Sequence, residues 1–216
     1  MSTLFDNLDL FVSGFRTTLV LFLVSGLAAL VLGTIIGAMR VSPVPPMRAF
    51  GTVYVNTVRN TPLTLLMFFF AFGYPKLGLA DVGYTTLAIF ALSLYTATYV
   101  AEALRSGINT VPVGQAEAAR SIGLGFTQTV RLVVLPQAIR SVIPPLVNVI
   151  IALTKNTSVA SGFFVFTLVS AGQRLASANG DQVIAVLVGV AVFYVIITIP
   201  LGRFADWFEK RVAVTR

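Results

Sequence analysis

The stretch 183-VIAVLVGVAVFYVIITIPL-201 contains no charged side chain, and Arg203 follows shortly after it. An α-helix needs about 20 mostly apolar residues to cross the hydrocarbon core of a bilayer, so this stretch predicts a transmembrane helix. The whole chain has the same character, because 56% of its 216 residues are hydrophobic and only 11% are charged. Soluble domains carry roughly 25% charged residues. We therefore expect an all-α integral protein of the cell membrane.

Five stretches in all are apolar enough to predict membrane spans. They lie at about residues 17–39, 52–73, 84–103, 139–168 and 183–202. The second is the weakest, because its apolar run extends only from Thr61 to Gly73 and needs helical residues before it to reach across a bilayer. The sequence therefore predicts a single transmembrane domain, residues 1–216, with five helices.

The positive charges predict the orientation of these helices. Placing the N-terminus outside the cell leaves most cations in the two inner connections and the inner tail. These cations are Arg40, Arg48, Arg59, Arg105, Arg120, Arg131, Arg140, Arg203, Lys210, Arg211 and Arg216. Lys and Arg accumulate on the cytoplasmic side, so we predict N-out/C-in. The cations are scattered between apolar runs, so the net charge of +7 is attributed to topology and no nucleic-acid partner is expected.

The composition also excludes several kinds of chemistry. The chain has no Cys and no His, which removes thiolates, the commonest general base and the commonest metal ligand. A P-loop ends in Gly-Lys followed by Ser or Thr, whereas the three lysines here follow Pro75, Thr154 and Glu209. We therefore expect a protein that is not an enzyme and has no cofactor or metal of its own.

A polar connection, 105-RSGINTVPVGQAEAARSIGLGFTQTVRLVVLPQ-137, separates the third and fourth spans on the predicted cytoplasmic side. A short helix at 115–122 is predicted to stop at Gly123, and a second helix at 126–134 is predicted to end at Leu135-Pro136. The first helix combines small alanines with one Glu and one Arg, which suits close docking against another protein. An amphipathic helix lying on lipid headgroups fits the same residues equally well.

The spacing of Glu117-Ala118-Ala119, Gly123 and Leu135-Pro136 resembles the EAA loop of permease subunits of ATP-binding-cassette (ABC) importers. Three further stretches resemble the polar amino-acid branch of that family, and glutamate-type permeases in particular. They are 58-VRNTPLTL-65, 95-YTATYVAEALRSGINTVPVGQAEAARSIGLG-125 and 153-LTKNTSVAS-161. The resemblance covers nearly the whole chain.

This resemblance implies the type I ABC importer fold, with alternating access driven by ATP hydrolysis elsewhere. The EAA loop would form a coupling helix in a groove of a cytoplasmic ATP-binding subunit, which would use the ATP and Mg²⁺. The coupling residues would be Glu117, Ala118, Ala119, Gly123, Leu135 and Pro136. Further expected partners are a second permease chain, identical or related, and an external solute-binding protein that delivers an amino acid such as glutamate, glutamine or aspartate.

Two polar segments interrupt the apolar spans, and interrupted helices are where transporters often bind substrate. The candidate substrate-path residues are Lys155, Asn156, Thr157 and Ser158 in the fourth span and Arg59, Asn60 and Thr61 at the second. Lys155 would favour an anionic substrate, or it could be a lysine snorkelling to the outer interface. Arg59 could equally be a positive-inside anchor, with Thr61-Pro62 as an ordinary N-cap and first-turn proline.

Two other expectations concern the ends of the spans. Glu102 and Arg105 are predicted to form an i,i+3 ion pair at the inner end of the third span, or a gate contact, and 170–182 is predicted to be an external loop. The alternative function is a self-contained secondary carrier or channel. Such a carrier needs acidic ion-coupling groups inside the bilayer, yet no Asp or Glu falls at the centre of a predicted span.

Overall fold

The computed structural model describes residues 7–212, apart from the side chains of Glu209 and Val212, and these residues form helices joined by short turns. The α-helices are α1 (Leu8–Val41), α2 (Pro45–Arg59), α3 (Leu63–Phe68), α4 (Tyr84–Asn109), α5 (Val113–Ser121), α6 (Phe126–Thr129), α7 (Leu135–Asn156), α8 (Leu168–Ala178) and α9 (Val183–Val212). The predicted all-α class is confirmed. Arg216, one of the predicted inner cations, lies outside the described residues.

Four helical segments of this region are long and apolar enough to cross a membrane. They are Leu8–Val41, Tyr84–Asn109, Phe126–Gly162 and Gly180–Phe208. Each overlaps one of the predicted spans. A shorter apolar segment, Leu63–Leu77, occupies the place of the remaining one.

The predicted span 52–73 is not one continuous helix. α2 ends at Arg59, and α3 begins at Leu63 with Pro62 in the N-cap position. Proline has no N–H and disfavours helical backbone in the residue before it, so the chain breaks here. The prediction of Thr61 as the N-cap is wrong, because its hydroxyl donates backward to the carbonyl of Thr57 at 2.8 Å.

The predicted interruption of the fourth span is present. α7 ends at Asn156, a 3₁₀ helix covers Thr157–Gly162, and Phe164 turns the chain with a φ of 61°. That left-handed backbone is uncommon for a bulky residue. The ring of Phe164 packs against Tyr84 and Phe72, which holds the turn in place.

The prediction that Leu135-Pro136 ends the second loop helix is wrong. α6 continues through one π-helical stretch, Val130–Val134, directly into α7. Pro136 cannot donate to the preceding turn, and the wider i→i+5 spacing of a π turn accommodates such a defect. The side-chain amide of Gln137 donates to the carbonyl of Val133 near the end of this stretch, at 2.9 Å.

The prediction of an external loop at 170–182 is also wrong, because α8 covers most of it. Leu168, Ala171, Gly172 and Leu175 are buried at helical spacing. The backbone N–H of Leu168 donates to the hydroxyl of Thr18 at 3.0 Å. α8 is therefore tied to α1 at its first residue.

α4 lies at the centre of the bundle. It packs along α1 and also contacts α2, α3 and α7. In its most apolar 18-residue stretch 61% is buried, whereas the corresponding shares for the other three long helical segments are 28%, 17% and 11%. Gly33 allows α1 to approach it, since a Cβ there would lie 2.8 Å from the carbonyl oxygen of Ala97 and 2.5 Å from the Cβ of Val100. The outer faces of α1 and α9 instead expose large aliphatic side chains, such as Leu27 and Ile184, as expected of helices that contact lipid.

We predict that Gly33→Ala destabilises the protein by about 1–3 kcal/mol, the usual cost of overpacking. The new methyl group would meet the Cβ of Val100 and a backbone oxygen, neither of which can move without shifting α4. The measurement is the melting temperature of the detergent-purified protein.

Gly26→Ala on the same helix is the matched control. Its Cβ would lie 3.4 Å from a terminal methyl group of Leu153, which is ordinary van der Waals contact, so the melting temperature should stay near that of the wild type. Equal melting temperatures for the two variants would contradict the close α1–α4 packing.

Candidate functional site

A cavity of about 400 Å³, with several polar side chains in a largely apolar wall, lies between α4 and α7. It is lined by Tyr95, Thr96 and Tyr99 of α4 and by Asn148, Val149, Ala152, Leu153 and Asn156 of α7. Its volume is within the range of roughly 300–1,000 Å³ that is usual for small-molecule sites. Asn148 and Ala152 are exposed, so the cavity is open at the surface of the single chain.

Three polar groups around this cavity have no hydrogen-bond partner within residues 7–212. They are the hydroxyl of Thr96, which is buried, and the side-chain amides of Asn148 and Asn156. A polar group that is buried without a partner costs roughly 1–3 kcal/mol, and an amide offers both donors and an acceptor. The cavity therefore presents groups that a polar solute could satisfy.

Of the residues predicted for the substrate path in the fourth span, only Asn156 lines this cavity. Lys155 is exposed but does not line the cavity. Thr157 is fully buried and donates to the carbonyl of Thr154 at 2.6 Å, and Ser158 donates to the carbonyl of Lys155 at 2.7 Å. These two hydroxyls therefore stabilise the change from α- to 3₁₀ helix.

The polar residues at the second predicted span have a different environment. The amide of Asn60 donates to the carbonyl of Asn56 at 2.8 Å, and the hydroxyl of Thr61 is bonded within α2 in the same manner. Both side chains satisfy carbonyls at the end of that helix. Arg59 does not line the cavity, but its guanidinium lies 5.6 Å from the ring centroid of Tyr99, which does.

Glu102 forms an ion cluster with three arginines from three helices. The predicted pair with Arg105 is confirmed, and Arg40 at the end of α1 binds the other carboxylate oxygen. Arg59 at the end of α2 is the loosest member, with its Nη1 3.9 Å from the Oε2 of Glu102. Arg40 has only 9% of its side chain exposed, whereas Arg59 has 45%. The cluster joins the ends of α1 and α2 to α4.

The connection between α4 and α7 places the predicted coupling helix on the surface as α5. Its end has the hydrogen bonds of a Schellman motif: the N–H of Gly123 donates to the carbonyl of Arg120 at 2.9 Å, and the N–H of Leu124 donates to that of Ala119 at 3.1 Å. Gly123 has a φ of 90°, which glycine adopts without a Cβ penalty. The predicted stop at Gly123 is confirmed.

The predicted coupling residues divide into exposed and buried groups. Glu117, Ala118, Leu135 and Pro136 are exposed, whereas Ala119 is only 5% exposed. α5 packs on the π-helical stretch that precedes α7, so Ala119 faces the loop itself. The other face of α5 is free for contact with another protein.

Three large apolar side chains extend this exposed surface. Val113, Ile122 and Phe126 are 73%, 78% and 70% exposed. They lie at the two ends of α5. Surfaces exposed to water rarely carry several large apolar side chains close together unless they bind another molecule. We call the exposed residues Val113, Glu117, Ala118, Ile122 and Phe126 the loop surface.

The two helices that wall the cavity are also the two helices that this loop joins. Between the loop and the cavity, Gly107 of α4 packs against Val142 of α7, and a Cβ at Gly107 would lie 3.2 Å from the Cα of Val142. Within the described residues no group of three or more His, Cys, Asp or Glu could hold a metal ion.

Sequence reasoning missed Tyr95, Thr96, Tyr99 and Asn148 as site residues. A signal was present, because Tyr95 and Tyr99 are four residues apart and Asn148 and Asn156 are eight apart. Both spacings place polar side chains on one face of an otherwise apolar helix. Which two faces meet depends on packing, and only the structure shows it.

Membrane-length helices, a cavity with polar side chains in its wall and an exposed helical loop that joins the two cavity walls are typical of a membrane transport component. The chain matches the family of binding-protein-dependent transport system inner membrane components over residues 29–214. It is 43% identical over 228 aligned residues to the glutamate transport system permease protein GluC of Corynebacterium glutamicum, covering 100% of both chains. It is 39% identical over 211 residues to the probable glutamine ABC transporter permease protein GlnM of Bacillus subtilis, covering 98% of this chain and 97% of that one.

A solved structure has the same fold. An amino acid ABC transporter crystallised with histidines is 28% identical in sequence, with a TM-score of 0.88 and 96% of each chain covered. The chain therefore belongs to the binding-protein-dependent transport inner membrane family, as a multi-pass permease of the polar amino-acid ABC type. The resemblance found in the sequence is confirmed. Its relatives are permeases, that is, transport components and not enzymes.

We predict that Gly123→Ala loosens the end of α5. A residue with a Cβ in left-handed backbone costs roughly 1–2 kcal/mol, and the Schellman hydrogen bonds depend on that backbone. Hydrogen exchange should show faster amide exchange at Gly123 and Leu124 than in the wild type.

Gly114→Ala is the control for this experiment. Gly114 lies at the start of α5, has no positive φ, and would bring its Cβ within 4 Å of nothing. Exchange at the end of α5 should be unchanged in that variant. Unchanged exchange in both variants would mean that the helix end does not depend on Gly123.

Proposed function

We propose that this chain is the transmembrane subunit of an ABC importer that moves a polar amino acid, with five spans in the N-out/C-in orientation. The distribution of arginines supports the orientation, since Arg40, Arg59 and Arg105 cluster at the end of the α1–α4 pair that adjoins α5. On this orientation the loop surface is cytoplasmic. Its partners are ATP-binding subunits, which use ATP and Mg²⁺, and a solute-binding protein on the outer side.

The loop surface is the proposed docking site for an ATP-binding subunit. It offers apolar anchors at both ends of α5, small Ala118 in the middle for close approach, and Glu117 as a charge that fixes register. Leu135 and Pro136 follow at the start of α7, where a force on the loop would enter that helix. Gly123 and Ala119 support the surface by shaping the helix end and packing its inner face.

The observation that carries the transport proposal is the arrangement of one loop and one cavity on the same two helices. When the ATP-binding subunits close, the loop surface moves, and α4 and α7 tilt about the Gly107–Val142 contact. Pro144 and Pro145 lie inside α7 and remove two backbone donors, which makes α7 easier to bend between the loop and Asn148. The cavity then opens alternately to the two sides of the membrane.

A second permease chain completes the path. The cavity of one chain is open at its surface, where Asn148 and Ala152 are exposed, so another wall is needed to enclose a solute. Lys155 is exposed on the same helix. We propose that it faces the path from the side that the partner completes, and that its charge favours a carboxylate-bearing substrate.

We propose glutamate as the preferred substrate, with glutamine as the nearest competitor. The names of the relatives GluC and GlnM support this choice. Uptake by the reconstituted complex, measured with glutamate, glutamine and arginine in parallel, tests it. Glutamate should have the lowest KM, and a preference for arginine would contradict the proposal.

We predict that Glu117→Ala weakens coupling to the ATP-binding subunit. Truncating a contact that fixes register costs roughly 1–2 kcal/mol, so ATP-driven uptake should fall about tenfold while the permease still folds. Asp206→Ala is the control, because it removes the same charge from an exposed side chain that lies in α9, outside the loop surface. Equal uptake by the two variants would contradict the assignment of Glu117 to the docking face.

We predict that Asn156→Ala raises the KM for uptake about two- to tenfold, since one hydrogen bond to substrate is worth roughly 0.5–1.5 kcal/mol. Asn60→Ala removes the same amide from a side chain that bonds only to its own helix, and its KM should match that of the wild type. A larger effect at Asn60 than at Asn156 would place the path at the second span instead.

A further inference from the structure

Glu102 lies one contact away from the wall of the cavity. Its two carboxylate oxygens are taken by Arg40 and Arg105, and Arg59 approaches the same carboxylate at 3.9 Å. The guanidinium of Arg59 also lies over the ring of Tyr99, 5.6 Å from its centroid. Arg59 therefore contacts the ion cluster on one side and a cavity residue on the other.

Tyr99 connects Arg59 to a second residue of the cavity wall, Tyr95. Its hydroxyl is hydrogen-bonded to the hydroxyl of Tyr95 at 2.9 Å, and the two rings pack 5.2 Å apart between centroids. Both side chains line the cavity. The position of one guanidinium thus influences two of the three residues that α4 contributes to the wall.

The negative charge of Glu102 holds the guanidinium of Arg59 in position. Three guanidinium groups surround one carboxylate, and among the side chains that the structure describes these arginines form ion pairs with no other acidic group. Without that carboxylate, Arg40 and Arg105 would repel Arg59. Arg59 is the member with the most exposed side chain, at 45%, so it would be the one to move away from Tyr99.

We infer that Glu102 is a positioning residue for the substrate cavity, acting through Arg59 on the Tyr99–Tyr95 pair. It touches no substrate itself. This inference rests on the proposed function, because it assigns Glu102 and Arg59 to the cavity in which the amino acid would bind. If Glu102 only held the helices together, its loss would affect assembly of the protein and leave the affinity for substrate unchanged.

The test is a set of variants in the reconstituted complex, with KM and maximal rate measured for glutamate and glutamine uptake. Arg59→Gln removes the cation but leaves Arg40 and Arg105 on Glu102, so the joined helices stay together. We expect its KM to rise about fivefold with little change in maximal rate, as suits the loss of one cation–π contact. Arg59→Lys keeps a cation over the ring and should restore most of the affinity.

Glu102→Gln should raise KM to a similar extent as Arg59→Gln, and the double variant should be no worse than either, because both act on one contact. Arg48→Gln is the control on the same helix, since Arg48 bonds to the carbonyl of Ser42 at 3.3 Å and has no contact with Tyr99. Its KM should be unchanged.

Three results would overturn the inference: an unchanged KM in Arg59→Gln, increases in KM that multiply in the double variant, or a loss of maximal rate alone. If Glu102→Gln fails to assemble, the comparison of Arg59→Gln with Arg59→Lys decides. A wild-type complex that takes up neither amino acid would instead contradict the proposed function, so the two failures are distinguishable.

Discussion

The packing of α4 against its neighbours is the constraint on which the other features depend. Gly33 lets α1 lie close enough to α4 for Arg40 to reach Glu102, and Gly107 lets α7 cross α4 next to Val142. The first contact fixes the ion cluster, and the second fixes the point about which the cavity walls can tilt. Because both contacts involve backbone or Cβ atoms on the facing helix, they leave little freedom for adjustment.

This arrangement explains why the polar groups of α4 are placed as they are. Thr96 and the tyrosine pair face the cavity, whereas Glu102, one to two turns further along, faces the ends of α1 and α2. A charge inside a membrane helix is costly unless it is paired, and Glu102 is paired on both oxygens. α4 therefore carries the ion cluster close to the polar residues of the cavity wall, among them Thr96, whose hydroxyl has no hydrogen-bond partner among the described residues. The exposed loop follows at its end.

Much of the fold could be predicted from the sequence, because composition and helix signals act locally. The apolar runs predict the long helices, Gly123 predicts the end of α5, and the polar residues around Asn156 predict the end of α7. The polar residues before Pro62 predict the break in the second span. The π turn that carries the chain past Pro136 and the helix α8 depend on neighbouring helices and were missed. Of the residues that line the cavity, the sequence predicted only Asn156. That Tyr99 and Asn148 line the same cavity depends on how α4 packs against α7, which the sequence pattern does not show.

The central claim is that the loop surface and the cavity are joined through α4 and α7. The chain has no Cys, so spin labels can be attached to cysteines introduced at Phe90 of α4 and Ile151 of α7, which are at least partly exposed and do not line the cavity. The account predicts that the distance between the labels changes when the ATP-binding subunits bind ATP, and returns after hydrolysis. An unchanged distance in a labelled complex that still transports amino acid would contradict it.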